Sequence, residues 1–77
     1  IMKNIESIIL GVISKNLKIS KKKIDKREKL DSLKNFDSLN FVKIILNITK
    51  KTNLKASTEK LSKVRTIEQL ISVFNKK

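Results

Sequence analysis

The stretch Asn35-Phe36-Asp37-Ser38-Leu39-Asn40-Phe41-Val42-Lys43-Ile44-Ile45-Leu46 lies at the middle of the chain and decides its fold. Asp37 is a strong helix N-cap residue, and its carboxylate suits the positive end of a helix dipole. From there Phe41, Val42, Ile44, Ile45 and Ile48 recur at helical spacing as a wide apolar face. Asn40, Lys43, Asn47, Lys50 and Lys51 fall on the other side. An amphipathic helix starting at Asp37-Ser38 is therefore predicted. Leu39 and Leu46 sit beside the polar stripe rather than across from it, so they are candidates for exposure.

Upstream, Ile5, Ile8, Ile9, Val12 and Ile13 follow the spacing of a second amphipathic helix. Asn4 can cap its start, Glu6 lies in the first turn, and the pattern fades near Asn16-Leu17. Residues 18–36 form a long polar stretch that holds Lys18, Lys21, Lys22, Lys23, Lys26, Arg27 and Lys29. A structureless loop of that length is unusual in a compact domain. Ile19, Ile24, Leu30 and Leu33 recur through it and are expected to pin it to the core. Downstream, a short helix follows Ser57 or Thr58, carries Leu61 and ends near Lys63, with Val64 after it. The last helix begins at Thr66, where Gln69 three residues on completes a capping box and Glu68 sits in the first turn. Ile67, Leu70, Ile71 and Phe74 give its inward stripe. The expected fold is all-α: a four-helix bundle with three longer helices, a short third helix and a long first loop, as a single domain over residues 1–77.

Composition narrows the function. Among 77 residues there is no Cys, His, Pro, Trp or Tyr, and only one Gly. Without Cys and His there is no zinc finger, disulfide scaffold, thiol nucleophile or His general base. One Gly leaves no phosphate-cradling loop. A chain this short buries roughly 60% of its unfolded surface, enough for one core but not for a core and an enzyme cleft. No run approaches the roughly 18 apolar residues of a membrane span, and no leader with a cleavage site is visible, so cytoplasmic residence is the default expectation. Ile1 ahead of Met2 reads as a cloning remnant, with the natural start at Met2. Nineteen Lys and Arg against seven Asp and Glu give a net charge of +12. Clustered lysines can bind nucleic acid by counterion release. The abundance of Lys, Asn and Ile also fits the codon bias of an AT-rich genome, with the lysines simply solvated.

At Asp37-Ser38-Leu39 the chain resembles an acyl carrier protein. The tripeptide alone is a weak signal. Its position midway along the chain, at the head of an amphipathic helix within a four-helix pattern, makes it more specific. The following residues match the spacing of the family's second helix, and Leu61 through Thr66-Ile67-Glu68 looks like its third helix and the entry to its fourth. The Phe36-Asp37-Ser38-Leu39 version is most similar to stand-alone carriers encoded beside ligases or sugar-modifying enzymes.

The resemblance implies a carrier and not an enzyme. A phosphopantetheinyl transferase would attach 4′-phosphopantetheine to the Ser38 hydroxyl, and the arm's thiol would hold acyl or aminoacyl groups as thioesters. Asp37 would help present the serine and a metal to the transferase; the chain itself offers no metal site. Docking positions map to Leu39, Asn40, Lys43, Leu46 and Asn47, and ordinary core packing is the other reading of the two leucines. Positions that would line an acyl pocket between helices two and three include Val42, Ile45, Ile48, Leu61 and Val64, for which core packing is the simpler reading. The implied partners are the transferase, a loading ligase and acyl-transferring enzymes, acting on a monomer.

Two departures from the family stand out. Asn35 occupies a position that is ordinarily Gly, and Asn is the best substitute in left-handed backbone. Family members are typically acidic along helix two, whereas here no acidic residue lies between Asp37 and Glu59. Electrostatic steering toward basic partner surfaces would be lost or reversed. The resemblance then implies dedicated partners with neutral, apolar or acidic docking surfaces, and poor use by enzymes of the ordinary fatty-acid pathway. Two alternatives remain at this level: a basic helical nucleic-acid-binding module, which lacks Arg-rich recognition helices and exposed stacking aromatics, and an unmodified adaptor with the same fold. A membrane-surface role is weaker, because the apolar faces are needed for the core.

Overall fold

Helix formation begins where an extended Asn4 turns its side chain onto the chain ahead: its Oδ1 accepts from the Ser7 N–H at 3.1 Å and starts α1 (Ile5–Leu17). In this computed structural model, which describes residues 4–75, three more helices follow: α2 (Ser38–Thr52), α3 (Thr58–Leu61) and α4 (Ile67–Phe74). The expected start at Met2 lies outside the described residues. Each helix opens with the capping residue that the sequence offers. Asp37 accepts from the Asn40 N–H, Ser57 from the Lys60 N–H and Thr66 from the Gln69 N–H. The Thr66/Gln69 capping box is complete, with Gln69 Oε1 accepting from the Thr66 N–H at 3.1 Å. Helix α3 ends at Leu61, so it is one turn long.

The chain reverses without glycine. Lys18 closes α1 at φ 58° and Asn53 closes α2 at φ 60°, each with its N–H returned to a carbonyl of the last turn. The single glycine, Gly11, sits inside α1, where a Cβ would meet nothing within 4 Å. Gly11→Ala should therefore stabilise the fold by about 0.8 kcal/mol, raising the melting temperature by roughly 3–6 °C in a calorimetric scan. An unchanged or lower melting temperature would count against open space at this position.

The core is built from Ile9, Val12, Ile13 and Leu17 of α1, Ile44 and Ile48 of α2, and Ile67, Leu70, Ile71 and Phe74 of α4, closed by Leu30, Leu33 and Val64. Among the described residues no polar or charged side chain is buried. Helix α2 packs mainly along α1. Val42 was expected on the inward face of α2 but is exposed, because the neighbouring α3 is too short to cover it.

The long first loop is an ordered strap. It holds two 3-10 turns, Lys21–Lys23 and Leu30–Ser32. Leu30 and Leu33 are buried, and Ile19 and Ile24 pack half-buried against the core, as their recurrence predicts. A backbone bridge joins Lys29 to Thr66. Leu30 N–H donates to the Arg65 carbonyl at 2.9 Å, Ile67 N–H to Glu28 at 3.2 Å and Glu68 N–H to Lys26 at 2.8 Å. The strap thus satisfies the first two N–H groups of α4, which have no partner within their own helix. At its other side Lys26 Nζ lies 2.9 Å from the Glu6 carboxylate, which raises the lysine's pKa from its ordinary value and ties the strap to α1. No helix among the described residues is long and apolar enough to cross a membrane.

Candidate functional site

Ser38 is the first residue of α2 and is exposed. The chain arrives there through four tied contacts. Asn35 takes the left-handed conformation expected of it, at φ 67°. Its Nδ2 donates to the carbonyl of Leu17, the last residue of α1, at 2.9 Å. Its own carbonyl accepts from Asn40 Nδ2 at 2.8 Å. Phe36, just before the cap, meets Phe41 edge to face with ring centroids 5.8 Å apart, the hydrophobic staple of a fixed helix entry. Asp37 then caps the helix, Oδ1 accepting from the Asn40 N–H at 2.8 Å. Asp37 is extended and exposed, so cap and carboxylate both face solvent beside Ser38.

This rigid entry gives a direct test of Asn35. Asn35→Ala should cost roughly 1–2 kcal/mol through the left-handed backbone it must keep. Asn35→Gly should stay close to the wild type, since glycine takes the left-handed conformation without steric strain, which offsets the lost side-chain bond. Equal chemical-denaturation midpoints for the two variants would count against a strained turn.

The helix start leaves two backbone donors open. Asp37 satisfies the Asn40 and Phe41 N–H groups through its side chain and its carbonyl. Among the described residues the Ser38 and Leu39 N–H groups have no protein acceptor. They point out of the helix where its dipole is positive, the setting in which phosphate oxygens are held. The corresponding N–H groups of α4 are closed off by the strap. A phosphodiester on the Ser38 oxygen therefore fits the donors present.

Within one turn of Ser38 begins an apolar groove between α2 and α3, about 290 Å³ in volume. Phe41, Val42, Ile45, Leu46 and Leu61 line it, with Thr58 and Ser62 at its edge. The structure brings together three of the expected pocket residues, Val42, Ile45 and Leu61. It does not bring Ile48 or Val64 to this groove. Ile48 is fully enclosed in the core, and Val64 is buried and borders a different depression, with Leu30, Phe36 and Arg65. Phe41 and Leu46 complete the lining, and the sequence pattern did not assign them to it.

The expected docking residues also divide. Leu39, Lys43 and Leu46 are exposed along α2. Asn40 is half-buried, and its amide braces the Asn35 turn. Asn47 is half-buried and faces α1, its Nδ2 donating to Asn16 Oδ1 at 3.4 Å. Its place with the lysines on the polar face of the helical pattern gives no sign of that partner. Among the described residues no cluster of carboxylates could hold a metal.

Comparison with curated proteins finds no match. The family model described as the phosphopantetheine attachment site matches residues 7–74, from the first turns of α1 to the end of α4. With nearly the whole chain matched and the four-helix arrangement in place, the chain belongs to the phosphopantetheine-attachment family of small all-α carrier domains, which hold 4′-phosphopantetheine covalently.

Proposed function

We propose that this chain is a stand-alone acyl carrier whose Ser38 receives the 4′-phosphopantetheine arm. The observation that carries the reading is the placement of an exposed hydroxyl on the first residue of α2, beside the two outward N–H groups. When attached, the arm supplies a terminal thiol that holds acyl or aminoacyl groups as thioesters, so a chain without Cys can take part in thioester chemistry. The protein's residues would hold and present it. The Ser38 and Leu39 N–H groups favour the phosphate, and Asp37 keeps the helix start in one geometry. The groove lined by Val42, Ile45 and Leu61 offers a short apolar cargo shelter from water.

In this role the chain is a single-domain, monomeric, cytoplasmic shuttle without catalytic activity of its own. Its partners are a phosphopantetheinyl transferase, a loading ligase and acyl-transferring enzymes. The nucleic-acid alternative has charge alone in its favour. All three phenylalanines are engaged, Phe36 with Phe41 and Phe74 in the core, so no ring is offered to a base.

Co-expression with a broad-specificity phosphopantetheinyl transferase tests the reading. Intact mass should show the addition of one arm, and peptide mapping should place it on Ser38. A wild-type mass left unchanged by an active transferase would remove the carrier role.

A further inference from the structure

Helix α2 carries a second feature that its core packing leaves unused. Leu39, Val42 and Leu46 are 65%, 52% and 60% exposed, three large apolar side chains at successive turns of one face. The stripe begins one residue after Ser38, and Val42 and Leu46 also form a wall of the α2–α3 groove. The stripe therefore lies directly beside the exposed Ser38 hydroxyl. Lys43 and Lys50 are exposed and interleave with the leucines on the same face. From Ser38 to Thr52 the helix has no acidic residue, and none follows before Glu59. The nearest carboxylate, Asp37, is engaged in capping.

Resting on the carrier reading, we propose that this stripe is the docking face for partner proteins whose contact surface combines apolar side chains with Asp and Glu. The apolar residues give the contact its area. The lysines set the sign of the charge it accepts: they draw in carboxylates and repel a basic surface. The partner enzymes of this carrier are thereby distinguished from enzymes built for an acidic carrier.

The probe is a pair of helical peptides with the same leucine face, one flanked by glutamates and one by lysines. Each is titrated into the ¹⁵N-labelled protein at low salt. The glutamate peptide should shift the Leu39, Val42 and Leu46 amides, and the lysine peptide should not. Lys43→Glu/Lys50→Glu should weaken the glutamate peptide on the order of tenfold. Leu39→Ser/Leu46→Ser, which leaves every charge in place, should do the same. Lys21→Gln/Lys22→Gln/Lys23→Gln, on the strap, should change binding less than twofold. Equal losses from the strap and α2 lysine variants would show diffuse attraction to a basic protein and overturn the proposal. Tighter binding of poly(U) or of phosphatidylglycerol vesicles through the same leucines and lysines would overturn it too. Arm addition at Ser38 without glutamate-peptide binding sinks the docking face and leaves the carrier role standing. Peptide binding at the stripe without arm addition upholds the surface and sinks the carrier role.

Discussion

Ser38→Ala should fold as well as the wild type and take up no phosphopantetheine at all. The side chain is exposed at the first position of α2, where alanine is an excellent helix former. Its removal should leave stability within about 0.5 kcal/mol. The mass gain on co-expression with the transferase should fall from one arm to none, because no other hydroxyl combines exposure with the open N–H groups at the head of α2. Persistent addition to this variant would move the attachment elsewhere and refute the assignment of Ser38. Asp37 can be separated from it. Asp37→Asn keeps an acceptor for the Asn40 N–H and should hold the melting temperature. A fall in modification rate in that variant, with the melting temperature unmoved, assigns the carboxylate's charge to presenting the serine. Asp37→Ala should lose about 1 kcal/mol of stability as well.

A large loss of stability is expected at Leu30. This residue is 3% exposed, and its N–H is bonded to Arg65 at 2.9 Å, so it is where the strap is anchored by side chain and backbone together. Leu30→Ala removes buried methyl groups and leaves a cavity that the bonded backbone cannot close, at a cost of about 3 kcal/mol. A chain of this length has a total stability on the order of 5 kcal/mol, so the variant should melt roughly 15 °C lower. The damage should be local first. The Ile67 and Glu68 amides, bonded to Glu28 and Lys26 of the strap, should lose hydrogen-exchange protection ahead of the amides of α1. A shift of less than 1 kcal/mol, or uniform loss of protection, would show that the strap is not held through Leu30.

What could be read from the sequence was what depends on near neighbours along the chain. The Asp37 cap, the Thr66/Gln69 box and the apolar stripe of α1 each rest on residues within a few positions, and each stands in the structure, as does the left-handed Asn35 that the family resemblance implies. The four-helix arrangement and the exposure of Leu39 and Leu46 followed from the same patterns. What could not be read was which neighbour covers which side of α2. Periodicity places Ile48 and Val42 on one apolar face, but α1 encloses the first and the one-turn α3 leaves the second open. Asn40 and Asn47 have the polarity of docking residues, yet one braces a turn five residues back and the other meets Asn16 on α1. The bridge between Lys29 and Thr66 runs through backbone atoms, so no side-chain pattern signals it.

The wholly apolar interior has a consequence for how the protein responds to acidity. With no polar side chain buried among the described residues, and no His or Cys in the chain, no side chain of a type that ordinarily titrates near neutrality is present. Hydrogen bonds from Arg27 hold the Asp25 carboxyl below its ordinary range, and the Glu6 carboxylate raises Lys26 above its own, so both stay charged near neutrality. A molecule that carries +12 on lysines and arginines, with no histidine, should therefore have contacts tuned by salt more than by protons near neutrality.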